Sequence, residues 1–273
     1  MSGIHAWYYT DPASPESWGL EPALRRLVVE LGDQLSIEPV MSGLAREFGP
    51  PLEQVAAWLE VADASGMPVD PRLWLASPPA SSYPASLAVK AAAEQGPEVE
   101  AAYLRRLREG FACARRKLDT RDALVAEARA VPECEVERFA VDLGSHAVVE
   151  AFGADLERAG AVEGATRDPG TERARVPSLE FRGEAGGTHA VHGRASYEEL
   201  RDAAQAAGAA FDGAARHPGV EDALARFGTL ATAEVAAVCD LPGPRAAAEL
   251  WRLAGEWRVR ADRCLTGELW SAA

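Results

Sequence analysis

The stretch YYTDPASPESWGLEPALRRL, residues 8–27, decides the fold. Its first residues belong to a short aromatic run, HAWYYT at 5–10, which reads as a buried strand ended by the turn signal Asp11-Pro12. From about Ser17 to Leu31, Leu20, Leu24, Leu27, Val28 and Leu31 recur at helical spacing until Gly32-Asp33 stops them. Ser14 suits the N-cap of that helix, Pro15 its first position, and Glu16 the positive end of its dipole. A second strand is expected at QLSIEPV, 34–40. Ser14 and Ser17 therefore stand at a helix N-terminus, spaced like the two thiols of a Cys-x-x-Cys motif but carrying oxygen.

Beyond Gly49-Pro50-Pro51 the pattern is helical to about residue 161, in segments punctuated by Pro68, Pro71, Pro78-Pro79, Pro97 and Pro132. Strand signals return at PSLEFRG, 177–183, and THAVHG, 188–193, with Glu184-Ala185-Gly186-Gly187 as the expected hairpin connection. A helix from about Ser196 to Gly208 follows, with Tyr197, Leu200, Ala203 and Ala204 on one face. The order strand, helix, strand, helical insert, hairpin, helix is an α/β plan with mixed strand directions. From His217 onward three short helices are expected. Val220, Leu224 and Phe227 mark the first, Thr232 caps a second carrying Val235 and Val238, and Leu250, Trp251 and Leu253 mark the third. EWRVRADRCLTGELW, 256–270, then alternates like a small hairpin, so the end of the chain reads as a winged-helix-like module. The expected division is residues 1–211, with an insertion at about 50–161, and residues 212–273.

The chain has 273 residues, 48% of them hydrophobic, with a formal net charge of -14. That composition supports a sizeable core, and the charge opposes a nucleic-acid or anionic-membrane partner, because binding phosphate needs a positive field. The C-terminal module is itself slightly acidic, so protein contact or a structural cap is expected of it rather than DNA binding by a helix beginning near Pro244. No apolar run approaches the ~20 residues of a membrane span, and MSGIHAWYYTDP has neither a basic start nor an apolar segment, so a cytoplasmic protein is expected. Cys113, Cys134, Cys239 and Cys264 are widely spaced and read as buried reduced thiols. His189 and His192 fall on opposite faces of a strand, and no metal site is expected. Arg105, Arg106, Arg108, Arg115, Arg116 and Lys117 form a basic stretch, with Leu104, Leu107, Phe111 and Leu118 as the apolar stripe of the same helix. It reads as a solvated helix face, or as a docking patch for an acidic partner.

The strand, the Asp-Pro, the four-residue motif and WGLEP together resemble DsbA-like proteins of the thioredoxin superfamily, in particular the FrnE-like and ClpXP-adaptor branch. There the matching stretch looks like Asp-Pro-x-Cys-Pro-Glu-Cys-Trp. SGMPVDPRLW at 65–74, SSYPASLAVKAA at 81–92 and LRRLREGF at 104–111 are similar to that branch's helical insertion, and RVPSLEF at 175–181 to its cis-proline loop. The likeness covers roughly residues 4–210 and leaves out the C-terminal module. It implies a thioredoxin-like fold with a large helical insertion, and a cis bond before Pro177 facing the helix that starts at Ser14. It also implies Ser14 and Ser17 at the catalytic positions of the family's cysteine pair, with Pro15, Glu16, Trp18, Val176 and Pro177 as substrate-binding residues.

The two serines leave three readings open. A hydroxyl at a helix N-terminus stays protonated where a thiol would ionise, so as written the pair forms no disulfide. The chain is then a redox-inactive family member that still binds a protein, a peptide or a small thiol in the groove between Ser14 and Pro177, or a non-enzymatic adaptor. Alternatively, the serines stand where the parent protein has cysteines, and the parent is a thiol–disulfide oxidoreductase. Thirdly, kappa-class glutathione transferases and chromene-carboxylate isomerases carry a motif that looks like Ser-Pro-Tyr-Ser, whose first serine donates to the glutathione thiolate. Ser14 would be its equivalent, with glutathione as cofactor. Glu16, where that class has an aromatic residue, counts against this reading.

Overall fold

A computed structural model describes residues 3–168, 171–183, 187–211 and 217–273. Strand β1 (Ile4–Thr10) lies between a parallel neighbour, β2 (Leu35–Met41), and an antiparallel one, β3 (Ser178–Arg182), which in turn pairs antiparallel with β4 (Thr188–His192). The sheet order is β2-β1-β3-β4. Helix α1 (Pro15–Leu31) makes the crossover from β1 to β2. It starts two residues before the position expected from the apolar period, because Ser14 accepts the Ser17 N–H and Pro15 takes the first turn. Side chains alternate across β1. Ile4, Ala6 and Tyr8 meet Leu20, Leu24, Leu27 and Leu31 of α1 on one face, while Tyr9 joins Val40, Ala159 and Val162 on the other.

The insertion runs through α2 (Pro51–Ser65), α3 (Arg72–Ala76), α4 (Tyr83–Ala93), α5 (Pro97–Ala112), α6 (Arg121–Ala128), α7 (Val136–Asp142) and α8 (His146–Ala161). Its core centres on Trp58, Trp74, Tyr103, Leu107, Phe111 and Phe139 and reaches Trp18 of α1. Prolines open α2 and α5, where the missing N–H has no intrahelical partner to lose. α5 ends at Ala112, so Leu118 and the basic residues 115–117 are not on the helix expected to carry them. Leu118 instead folds back over Gly110, where a Cβ would come within 2.6 Å of it. After β4, α9 (Tyr197–Ala206) covers the same sheet face as α1 through Leu200 and Ala204. Three residues of the expected hairpin connection, 184–186, lie outside the described residues.

The C-terminal segment contains α10 (Val220–Phe227), β5 (Leu230–Ala231), α11 (Thr232–Val238), α12 (Gly243–Gly255), β6 (Val259–Arg263) and β7 (Glu268–Ala272), with sheet order β5-β7-β6. Leu224, Val235, Leu250, Leu253 and Trp270 form its core. The expected boundary at 211/212 adjoins residues 212–216, which lie outside the described residues. Thr232 does not cap α11. Ala231 holds the N-cap position, and the Glu234 carboxylate reaches back to its N–H at 2.7 Å, while Thr232 Oγ1 accepts the Trp270 indole N–H at 2.9 Å. The segment is not a free appendage, because Ala231 and Leu269 pack into the core of the insertion and Val29 of α1 packs into its own.

Candidate functional site

The end of β1 and the start of α1 set the site. Ser14 Oγ accepts the Ser17 N–H at 3.1 Å, and Thr10 Oγ1 donates to Ser17 Oγ at 2.9 Å. Arg108 Nη2 donates to Thr10 Oγ1 and, at 3.2 Å, to the Tyr8 hydroxyl, so the chain of hydrogen bonds behind Ser17 ends on a buried cation. The turn between strand and helix is fixed by Asp11. Its carboxylate accepts the backbone N–H groups of Ala13 (2.9 Å) and Leu44 (2.8 Å) and the hydroxyls of Ser82 (2.8 Å) and Ser86 (3.2 Å). Complete burial pushes the Asp11 pKa up against those four donors.

The proline loop approaches the same end of the sheet. Ser178 pairs with Tyr9, so Pro177 lies beside the point where β1 gives way to the motif, and the Val176–Pro177 peptide bond is cis. Gly193 N donates to Pro177 O at 2.7 Å, and the next residue, Arg194, clamps Glu16 with two hydrogen bonds of 2.8 and 2.9 Å. Glu16 thereby ties the motif to the far side of the sheet. His192 Nδ1 lies 3.2 Å from Ser178 Oγ, which places one of the two strand histidines beside the proline loop.

Of the residues expected to form the site, the structure brings together Ser14, Pro15, Glu16 and Ser17 with Val176 and Pro177 at one end of the sheet. It corrects Trp18. That side chain has no solvent exposure, donates its indole N–H to Pro68 O at 2.9 Å, and is covered by the Arg105 guanidinium at 4.6 Å from its ring centre. Helical geometry turns it a hundred degrees away from Ser17 into the core of the insertion, so it supports the site from behind rather than lining it. Ser14 and Ser17 are also covered, at 1% and 0% exposure, which leaves Pro15 and Glu16 as the motif residues that solvent reaches. Arg194 carries no mark of this role in the sequence. Nothing in HGRASYEEL signals its pairing with a residue 178 positions earlier.

Behind the motif lies a buried charge network. Glu21 accepts from Arg108 Nη1, from Arg25 Nε at 3.2 Å and from Arg105 Nη1 at 3.2 Å. Glu234 of α11 accepts from Arg25 Nε at 2.6 Å and from both terminal nitrogens of Arg105 at 2.7 and 2.9 Å. Burial alone would raise the Glu21 pKa, but Arg108, Arg25 and Arg105 overcome it and hold the carboxyl at about 2. The network forms the polar wall of a cavity of about 370 Å³ whose apolar wall includes Leu24, Val28, Ile37 and Phe227. These pairings correct both readings at Arg105 and Arg108, while Arg115 and Lys117 stay exposed as the solvated reading expects. Arg105 and Arg108 are neither solvated nor free to dock an outside partner, Arg106 and Arg116 pair with Glu127, Arg115 with Asp70, and Lys117 with Asp119. The acidic partner of α5 lies within the same chain. The cysteine expectation changes as well. All four are free thiols, but only Cys239 is buried, and Cys113 and the turn that begins at Cys264 both lie against residues 68–69.

A mixed four-stranded sheet whose first strand runs into a capped helix, with a cis-proline loop beside it and helices inserted after the second strand, defines a thioredoxin-like, DsbA-like fold. The chain belongs to the thioredoxin family, whose sequence model, described as Thioredoxin, matches residues 7–163. It is 31% identical over 164 residues to the ClpXP adapter protein SpxH of Halalkalibacterium halodurans, covering 56% of this chain and 53% of that protein. It is 27% identical over 281 residues to the protein of the same name from Shouchella clausii, covering 98% and 88%. Except in that longer alignment, the chain spans about half the length of the curated relatives it matches. Among solved structures, a Nitrosomonas europaea protein provisionally assigned as a disulfide isomerase superposes with a TM-score of 0.61 at 18% identity, over 75% of this chain and 97% of that one. The cytosolic disulfide reductase DsbM from Pseudomonas aeruginosa, solved with GSH, superposes with a TM-score of 0.54 at 19% identity, over 74% and 93%. These structural likenesses show the fold. Among the described residues, no helix is long and apolar enough to cross a membrane.

Proposed function

We propose that this chain is a cytoplasmic, protein-binding adaptor on a DsbA-like frame, without dithiol chemistry at residues 14 and 17. One observation carries the reading. Both motif oxygens are covered and committed to the protein's own structure, Ser14 to the helix cap and Ser17 to Thr10. Neither can ionise to a nucleophile near neutral pH, so the helix start keeps the family's shape and lacks its reaction. The long alignment with a protein named as a ClpXP adapter supports a protein partner, and the acidic chain supports a partner other than nucleic acid or membrane. The recognition surface in this reading is the rim made by Pro15 and Glu16 beside the proline loop, whose Val176 and Pro177 side chains are themselves buried, and an extended peptide would pair its main chain along that loop. Glutathione is the poorer occupant, because Ser14 Oγ already accepts the Ser17 N–H and is shielded from solvent.

In this reading residues 212–273 are a winged-helix-like module that caps the thioredoxin unit, residues 1–211. The order helix, strand, two helices, hairpin supports the assignment, and the Glu234 network supports the capping role. The test is a reconstituted degradation reaction with the host's ClpX and ClpP, run with and without the chain on candidate client proteins. A several-fold acceleration for a particular client, weakened by Glu16→Arg, is the expected result. With Cys113 replaced by serine, so that residues 14 and 17 are the tested centre, the chain is expected not to reduce insulin disulfides, whereas the same chain carrying Ser14→Cys/Ser17→Cys is expected to do so. Reduction of insulin by the Cys113→Ser chain, or no accelerated client, refutes the reading.

A further inference from the structure

Two thiols separated by most of the chain meet where the insertion touches the C-terminal segment. Cys113 caps the end of α5, and Cys264 opens the turn between β6 and β7. That turn is fastened to residues 67–70. Thr266 N donates to Val69 O at 3.1 Å, Val69 N donates to Thr266 Oγ1 at 2.8 Å, and a Cβ on Gly267 would stand 3.3 Å from Pro68 Cβ. The same residues are gripped from the α5 side, where Asp70 N donates to Ala112 O at 2.6 Å and Cys113 Sγ donates to Pro68 O at 3.1 Å. Cys113 Sγ thus rests on Pro68 O, while the turn that Cys264 opens rests on Pro68 and Val69, so the two thiols flank the same residues, and neither is fully buried.

We propose that Cys113 and Cys264 form a redox-active pair that closes to an intramolecular disulfide, tying the C-terminal segment to the helical insertion. The oxidant class is a low-molecular-weight disulfide. The Cys264 thiolate attacks one of its sulfurs, forming a mixed disulfide and expelling one thiolate. Cys113 then gives up its proton and attacks the Cys264 sulfur, expelling the second thiolate as the protein disulfide forms. The protein loses two electrons and two protons, and the external disulfide is reduced to two thiols.

The surroundings assign the roles. The neighbouring Cys113 thiol, against burial and with the N–H groups of Thr266 and Gly267, lowers the Cys264 pKa, which favours it as the attacking thiolate. The same pairing and burial raise that of Cys113, the resolving thiol. Pro68 O, which accepts from Cys113, also accepts the Trp18 indole N–H at 2.9 Å, so the pair sits directly beneath the helix that starts at Ser14. The inference does not depend on the adaptor reading, since it concerns different residues and a different chemistry.

The full chain incubated with oxidised glutathione at neutral pH, then quenched in acid, is to be followed by thiol titration, intact mass and peptide mapping. The expected product is lighter by two hydrogens, carries two free thiols in place of four, contains a Cys113–Cys264 cross-linked peptide, and reverts with dithiothreitol. Cys264→Ser and Cys113→Ser each abolish that product, and Cys134→Ser leaves it unchanged. Four thiols persisting, glutathione adducts accumulating as the end product, or a bridge made by Cys134 or Cys239 would each overturn the proposal.

Discussion

Replacing Glu234 by alanine tests how the C-terminal segment is held. The side chain has no solvent exposure, and its carboxylate receives Arg25 Nε at 2.6 Å, Arg105 at 2.7 and 2.9 Å, and the Ala231 N–H at 2.7 Å. Truncation leaves two guanidiniums facing a void, with Glu21 and Glu109 as their remaining counter-charges, and Glu21 is already shared with Arg108. Removing one partner of a buried ion pair costs about 3–5 kcal/mol, and losing the helix-start acceptor adds about 1 kcal/mol. Because Glu21 still serves both arginines, a net loss of about 3–4 kcal/mol is expected, a large share of the ~5–15 kcal/mol that stabilises a typical domain. Urea unfolding followed by far-UV circular dichroism measures it. The loss should appear as an early transition in which the C-terminal segment separates first. Glu234→Gln, which keeps an acceptor but no charge, should fall between, and a double-mutant cycle with Arg105→Met should show a coupling well above zero. A change below about 1 kcal/mol for Glu234→Ala, or zero coupling, would refute the reasoning.

The acid limb of stability should carry the mark of Glu21. Its folded pKa of about 2 lies below the ordinary 4.5, so its contribution is fully present above about pH 4.5 and is lost as pH falls toward 2. Unfolding free energies from urea titrations at pH 2 to 6 should change by ~3 kcal/mol in that window, and Glu21→Gln should flatten the limb. Glu100 has the opposite sign. Burial, aided by Asp155 and Glu38 and opposed by Lys90, raises it to about 7, so the folded state holds its proton longer and stability falls as pH rises from about 4.5 to 7. Glu100→Gln should therefore be more stable than the parent at pH 8, by about 1–3 kcal/mol, and equal stability there would count against the assignment. Arg194→Ala removes a largely exposed pair with Glu16 and should cost under about 1 kcal/mol in thermal unfolding. Partner affinity should drop at least several-fold if the Glu16 rim is the contact surface.

The first strand, the turn and the capped helix are legible because each signal is local: an aromatic run, Asp-Pro, a serine cap, and leucines at helical period. The hairpin of β3 and β4 is legible for the same reason. The basic run at 105–117 misleads, since its local partner Glu109, four residues after Arg105, does not reveal the buried network. Arg105 finds Glu21 84 positions away and Glu234 129 away, and no local window contains those distances. Trp18 fails differently. The resemblance puts Trp18 among the substrate-binding residues, but the helical turn sends it away from Ser17, and the carbonyl that receives its indole belongs to Pro68. At α11 the serine-and-threonine rule for caps picked Thr232, while the acceptor came from a glutamate three residues inside the helix. Cys113 and Cys264 are neighbours only because a C-terminal turn is hydrogen-bonded to residues 67–70.

The two-sided Glu234 clamp also sets a timetable for the newborn chain. Arg105 leaves the ribosome 129 residues ahead of Glu234, and Arg25 precedes it by 209. At synthesis rates of about 5–20 residues per second, Arg105 waits ~6–26 s with only Glu21 and Glu109 to neutralise it, beside an apolar wall not yet covered by Phe227. During that interval the thioredoxin unit presents an unfinished, charged seam, and the last quarter of the chain closes it in the manner of an intramolecular chaperone.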